Sequence, residues 1–231
     1  MSDEKILHIR PEEHSAKDIY KMMIVLVVPR PIALVSTVSK AGVRNVAPFS
    51  FYNAICAAPP IVCFATGVRT PKPEEGLTAY KDTLGNIWET KEFVINVVTE
   101  DIAEAMNVAA AEVPPEIDEF EMAGLTAIPG EVVKAPRVAE ARAQMECRLQ
   151  QILPISDRAQ GALLVIGEVV CFHVREDLFD NFRIDPKKLR AVGRMAGNGY
   201  VRTRDYFELV RPHNEAEARA ELAREKLSPG K

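Results

Sequence analysis

Residues 29–60 read PRPIALVSTVSKAGVRNVAPFSFYNAICAAPP, and this stretch decides the fold. Ile32–Ser39 and Arg44–Ala47 are two β-type runs flanking Lys40-Ala41-Gly42, a glycine-containing hairpin turn. Behind them, Pro48-Phe49-Ser50-Phe51-Tyr52-Asn53 concentrates hydroxyl, amide and aromatic groups. Ser36, Thr37, Ser50 and Asn53 offer hydrogen bonds to ligand oxygens, and aromatics cover a flat apolar body. A ligand with a phosphate or imide edge and a planar ring would use both. On the residues alone, an ordinary hairpin whose Ser and Thr satisfy backbone groups stays open.

Working outward, Ser15 caps a predicted helix running to about Leu26, with Asp18 at capping-box spacing. Pro29 and Pro31 stop it and force an extended entry into the first strand. Further strands are predicted over Ile61–Ala65, Phe93–Val98, Ala143–Leu153 and Ala162–Val174. In Ala143–Leu153, Met145, Cys147, Leu149 and Gln151 share a face, and Gly167 marks a bulge or sharp bend in the last strand. A helix over Leu84–Thr90 takes Asp82 or Thr83 as its N-cap. Thr99–Ala111 opens like another helix, and Pro114–Glu121 reads as a short one. Asn214–Lys226 alternates acid and base at helical spacing, as a solvated helix does. Antiparallel strands with short interrupting helices argue against a doubly wound sheet, and no strand–GxGxxG–helix unit holds a nicotinamide cofactor.

The composition is globular: 47% hydrophobic and 27% charged over 231 residues. That length suits a single domain over 1–231, with extensions at 1–14 and 213–231. A net charge of -4 and a pI near 5.7 argue against a nucleic-acid partner. Cys56, Cys63, Cys147 and Cys171 are scattered without a CxxC pair, a pattern of neither zinc site nor disulfide framework. His173 lies in an apolar run and reads as structural. No signal peptide opens the chain and no apolar run suits a membrane, which predicts a cytoplasmic protein.

The blocks fall in a recognisable order. Pro29-Arg30-Pro31-Ile32, Val35-Ser36-Thr37, Asn45–Asn53 and Pro59-Pro60 come first. Lys81-Asp82-Thr83-Leu84-Gly85-Asn86-Ile87, Phe93–Val98, Pro114–Phe120, Glu146–Leu149, Ile166–Val170 and Gly193–Gly197 follow. From Ile19 to Pro212 the chain resembles the flavin-reductase-like family of FMN-binding split barrels. The resemblance implies a mainly β fold with peripheral helices, a six-stranded antiparallel split β-barrel with Greek-key connections. It also implies a homodimer with flavin near the subunit interface, FMN as cofactor and NADH or NADPH as hydride donor. The implied activity is flavin reduction, with a monooxygenase partner as one recipient of the reduced flavin. Alternatives are an FMN-retaining reductase of a small aromatic such as a nitroarene, and a flavin-binding storage or regulatory protein.

The resemblance points the phosphate to Lys81 and Thr83, aided by free amides at the helix start and by Asp82, which caps or orients Lys81. It points the ring and ribityl chain to Ser36, Thr37, Ser50 and Asn53, with Phe51 and Pro31 as apolar walls. Phe49 and Tyr52 face the other way on an extended chain. Arg194, in a late loop, suits a phosphate or substrate carboxylate better than Tyr200 does. Gly85 stands where the family carries Arg, so one cation is missing that Arg194 or Arg30 could replace. Hydride transfer to flavin needs geometry rather than a side-chain acid or base, so no catalytic residue is assigned.

Overall fold

Proline punctuation and β-branched runs set the order of elements. The computed structural model describes residues 5–220. In α1 (Ala16–Leu26) the Ser15 hydroxyl accepts the Asp18 N–H and donates to the Asp18 carboxylate at 2.6 Å, which satisfies a free amide of the first turn. β1 (Ala33–Val38) and β2 (Arg44–Phe49) form the expected hairpin, paired from Ala33↔Phe49 to Val38↔Arg44. Gly42 holds φ +87° in its turn, a left-handed conformation that favours glycine.

β3 (Tyr52–Ala57) carries no strand signal in the sequence, because residues 53–57 are all exposed and no buried alternation announces it. β4 (Pro60–Gly67) pairs with it antiparallel. α2 (Asp82–Thr90) begins two residues before the predicted start, with Lys81 as N-cap and no side chain capping it; neither Asp82 nor Thr83 serves as the cap. β5 (Glu92–Val97) and α3 (Ala103–Val108) follow. α4 (Glu119–Ala123) starts later than the expected Pro114, because Asp118 accepts the Phe120 and Glu121 N–H groups at 3.0 and 3.3 Å. β6 (Ala143–Pro154), β7 (Ala162–Val174), β8 (Val192–Arg194) and β9 (Tyr200–Arg202) complete the ladders used below. Residues 215–220 are helical, and the remainder of the run predicted to Lys226 lies outside the described residues. No described helix is long and apolar enough to cross a membrane.

The main sheet has seven strands rather than the expected six, in the order β2-β1-β5-β6-β7-β4-β3, all antiparallel. The added strand is β3. Its two edge strands, β2 and β3, are joined only through Ser50 and Phe51, so the sheet curls into the split barrel that the resemblance implies. Alternation divides β1 cleanly. Ala33 and Val35 face the barrel interior with Phe49, Phe64, Phe93 and Val165, while Leu34 packs outward with Met106 and Phe120 from α3 and α4.

β6 corrects two expectations. Met145, Cys147 and Leu149 do pack toward the barrel, but the register shifts between Leu149 and Gln151, and Ile152 takes the inward place expected for Gln151. That bulge therefore lies opposite Gly167, not at it. Gly167 is small for another reason: a Cβ there would stand 2.4 Å from Cζ of the fully buried Phe93 ring. Gly167→Ala should lower stability by about 1–3 kcal/mol through overpacking, read as a lower denaturant midpoint. An unchanged midpoint would show that the Phe93 ring shifts at no cost.

Candidate functional site

A buried polar knot centres on Asn45 of β2. Its Oδ1 accepts the Thr37 hydroxyl at 3.1 Å and the Thr83 hydroxyl at 2.8 Å. Its Nδ2 donates to Glu119 Oε2 at 2.5 Å, and the Val46 N–H donates to the same oxygen at 2.7 Å. Asn86 closes the knot by donating to Thr37 Oγ1 at 3.0 Å. One cluster thus joins β1, β2, α2 and α4, with every member buried. Burial pushes the Glu119 carboxyl up to about 7; the Val46 N–H opposes that shift and Asp82 adds to it.

The knot fixes where α2 begins. Its first turn has no side-chain cap, and the Lys81 ammonium stands there, 5.7 Å from the centre of the Phe49 ring. Asp82 is half-buried, and burial raises its carboxyl pKa, with Arg69 and Lys81 pulling the other way. Behind this turn, Arg69, Thr83, Glu119 and Ala109–Val113 leave only about 20 Å³, room for little more than one water. The cleft itself is too small to take a phosphate, and the free amides of the first turn open at its mouth. Gly85 lies exposed, and a Cβ there would meet nothing within 4 Å, so no steric reason excludes a larger residue at that position.

The second half of the site is the turn from β2 to β3. Phe49 is buried and Tyr52 turns inward, where burial raises its hydroxyl to about 12. Phe51 faces out, 40% exposed, on a groove of about 810 Å³ that it shares with Tyr20, Met23, Gly67, Ile155 and Gly161. Ser50 is half-buried, Pro31 and Asn53 are exposed, and Asn53 Oδ1 accepts the Ala54 N–H at 2.9 Å.

Arg30, which the motif contains but whose burial no sequence pattern signals, is 4% exposed beneath Phe51, its Cζ 5.9 Å from the ring centre. It donates to the carbonyls of Ile24, Val27 and Met195 at 2.7, 2.7 and 2.9 Å, and its Nε–H has no acceptor among the described residues.

Not all of the proposed contacts converge. The Ser36 hydroxyl is fully buried on the opposite face of β1, donating to the Pro136 carbonyl at 2.5 Å and accepting from Asn96 at 2.9 Å. Thr37 and Thr83 spend their hydroxyls inside the knot, so all three support the site from behind rather than line it. Arg194 exchanges backbone hydrogen bonds with Arg30, but its guanidinium stacks on Tyr200 at 4.6 Å and opens on a separate groove against α3. Glu119 and Arg69 were not legible as site residues. Glu119 sits inside the quoted Pro114–Phe120 block, yet only the folded chain brings it under Asn45.

A family model described as a flavin reductase like domain matches residues 25–192. A protein of Halalkalibacterium halodurans is 43% identical over 208 residues, 89% of this chain and 97% of that one. Nitrilotriacetate monooxygenase component B from Bacillus cereus is 38% identical with a TM-score of 0.81, covering 89% of this chain and 99% of that one. Pseudomonas fluorescens 2-nitrobenzoate 2-nitroreductase is 32% identical with a TM-score of 0.78, covering 90% and 97%.

The knot makes stability pH-dependent. Between about 4.5 and 7, folded Glu119 keeps a proton that the unfolded chain releases, so stability falls as pH rises through that window. The drop should approach about 3 kcal/mol at most, and Glu119→Gln should flatten it while keeping an acceptor for Asn45 and Val46. Denaturant midpoints at a series of pH values in both proteins test this; parallel curves would show that Glu119 is ionised in the folded state throughout.

Proposed function

The chain belongs to the flavin reductase-like family, and from that premise we propose that it is an FMN-dependent oxidoreductase taking hydride from NADH or NADPH to reduce flavin, with a monooxygenase as one recipient. The observation that carries the FMN reading is the uncapped first turn of α2 with Lys81 beside it. Uncapped helix amides and an ammonium suit a phosphate monoester, the group that separates FMN from riboflavin. The donor set fits the rest of a flavin as well: exposed Phe51 and Pro31 offer apolar cover, and Ser50 and Asn53 offer polar edges. Once bound, flavin supplies the ring that accepts and passes on hydride.

The protein's own residues bind and orient. Lys81 and the α2 amides anchor the phosphate, and Asp82 steers Lys81. Ser36, Thr37 and Thr83 hold the strand and helix that present these groups. Arg30 supplies positive charge beneath Phe51 at the β2–β3 turn, and Arg194 holds its backbone there through the paired hydrogen bonds it exchanges with Arg30. No side chain is assigned a proton transfer, because proximity and fixed dipoles suffice for hydride transfer. A second copy of the chain would cover the exposed β3 edge with Ile55 and the outward Tyr20, Met23 and Leu26 of α1.

A second reading, reduction of a small nitroaromatic on retained FMN, is supported by the likeness to the 2-nitrobenzoate nitroreductase and by the apolar groove beside Phe51. The two readings separate on added free flavin: it speeds a flavin-exchanging reductase and leaves a flavin-retaining one unchanged. Anaerobic addition of NADH, then NADPH, to the FMN-loaded protein should bleach the flavin well above the free-flavin rate. Bound flavin that stays oxidised would indicate storage or regulation instead, and absence of flavin binding would refute the proposal.

Lys81→Ala should weaken FMN by about tenfold to a hundredfold and leave riboflavin unchanged, measured by quenching of flavin fluorescence. Equal losses for the two ligands would remove Lys81 from the phosphate site.

A further inference from the structure

Glu146, Cys171 and His173 come together on the outer face of the β6–β7 ladder, apart from the flavin site. Pairing puts Cys171 directly opposite Glu146, and His173, two residues on, shares its face. One ligand atom from each, a carboxylate oxygen, Sγ and an imidazole nitrogen, lies within 4.8 Å of the others. The sequence shows no metal spacing here, because the donors come from two strands that only the sheet brings into register.

Glu146 has no exposed surface. The turn at 130–133 wraps its carboxylate, with the N–H groups of Glu131, Val132 and Val133 donating at 2.6, 2.7 and 2.8 Å. That turn is tight: a Cβ on Gly130 would stand 2.4 Å from the Val133 carbonyl oxygen and 3.1 Å from Glu146 Oε2. Burial alone would raise the Glu146 pKa, but the three amides and His173 reverse this and hold it at about 2. The carboxylate is thus held in place by three backbone amides. His173 Nε2 lies 2.6 Å from Glu146 Oε1, and its side chain keeps 20% exposure. Burial and the charge of Glu146 raise the Cys171 pKa; a thiol gives up its proton when it ligates a metal.

A carboxylate paired with an imidazole is an ordinary buried hydrogen bond; a thiol added to the same face makes a mixed O, N, S donor set. We propose that Glu146, Cys171 and His173 bind a divalent transition-metal cation of the zinc class. Hard cations such as Mg²⁺ and Ca²⁺ take oxygen ligands, whereas Zn²⁺ takes all three donor types present. The amides behind Glu146 give the outer hydrogen bonds that orient a ligating carboxylate, and the paired strands make a rigid frame. Ligand atoms about 2.0–2.3 Å from a tetrahedral ion stand roughly 3.3–3.7 Å apart, so the 2.6 Å contact opens by about 1 Å and the other separations, all within 4.8 Å, need only small side-chain shifts. On binding, the Cys171 S–H proton leaves to solvent as the S–Zn bond forms. The Nε2 proton that His173 shares with Glu146 also passes to solvent while Nδ1 takes one up, so the ring changes tautomer, Nε2 and the freed Oε1 lone pair meet the ion, and water takes the fourth position.

Zinc-edge X-ray absorption of the full chain with one equivalent of Zn²⁺ should show one sulfur at about 2.3 Å and lighter ligands near about 2.0 Å. Cys171→Ser should remove the sulfur shell. His173→Gln should weaken Zn²⁺ by at least about tenfold in competition with a chromophoric chelator, and Cys56→Ser should change neither property. A site without sulfur in the unmodified protein, a sulfur shell that survives Cys171→Ser, or equal affinity in all variants overturns the proposal. The first of these is decisive even if a variant fails to fold.

Discussion

Asn45 is the side chain on which the arrangement rests. Its amide has an acceptor end that takes two threonine hydroxyls and a donor end that meets a carboxylate, so it can be satisfied only when β1, β2, α2 and α4 are all in place. An unpaired amide in this interior would cost a few kcal/mol, which gives the knot a strong preference for one register of the hairpin against α2. The start of α2 is therefore fixed by groups beneath it rather than by a cap of its own. A conventional Ser or Asp cap would have filled the free amides; Lys81 at that position leaves them facing outward.

The same strand logic explains why the hydroxyls of Val35-Ser36-Thr37 divide. Neighbours on β1 point to opposite faces, so Ser36 goes under the turn at Pro136 and Thr37 into the knot. The hairpin, its turn and the Ser15 cap were legible because each rests on local chemistry: alternation, a positive-φ glycine, a short hydroxyl three residues before Asp18. Phe49 and Tyr52 both turn inward, although strict alternation would set residues three apart on opposite faces, because the bend at Ser50 and Phe51 between β2 and β3 resets the pattern and leaves Phe51 outside.

What could not be read depends on tertiary contact. β3 is an exposed edge, and its residues have no buried partner to impose a pattern. At the Leu149–Gln151 bulge Ile152 takes the inward place of Gln151, opposite Gly167, whose own size is set by Phe93 on a third strand. Glu119, Arg69 and the β6–β7 cluster share this character. In each case the residue itself carries no positional signal, and its partners in the site come from other elements of the fold.

Arg30 shows how such a neighbour acts at the site. A guanidinium this buried ordinarily pairs with a carboxylate, but no carboxylate among the described residues lies in ion-pair range. Three carbonyls solvate it instead, two of them at the C-terminal end of α1, where the helix dipole is negative. Carbonyl dipoles stabilise a cation without cancelling its charge. The same bonds tie α1, the start of β1 and the Met195 loop together under Phe51, so that ring stands on a rigid, uncompensated cation. The groove above it therefore favours an anionic group over a neutral one.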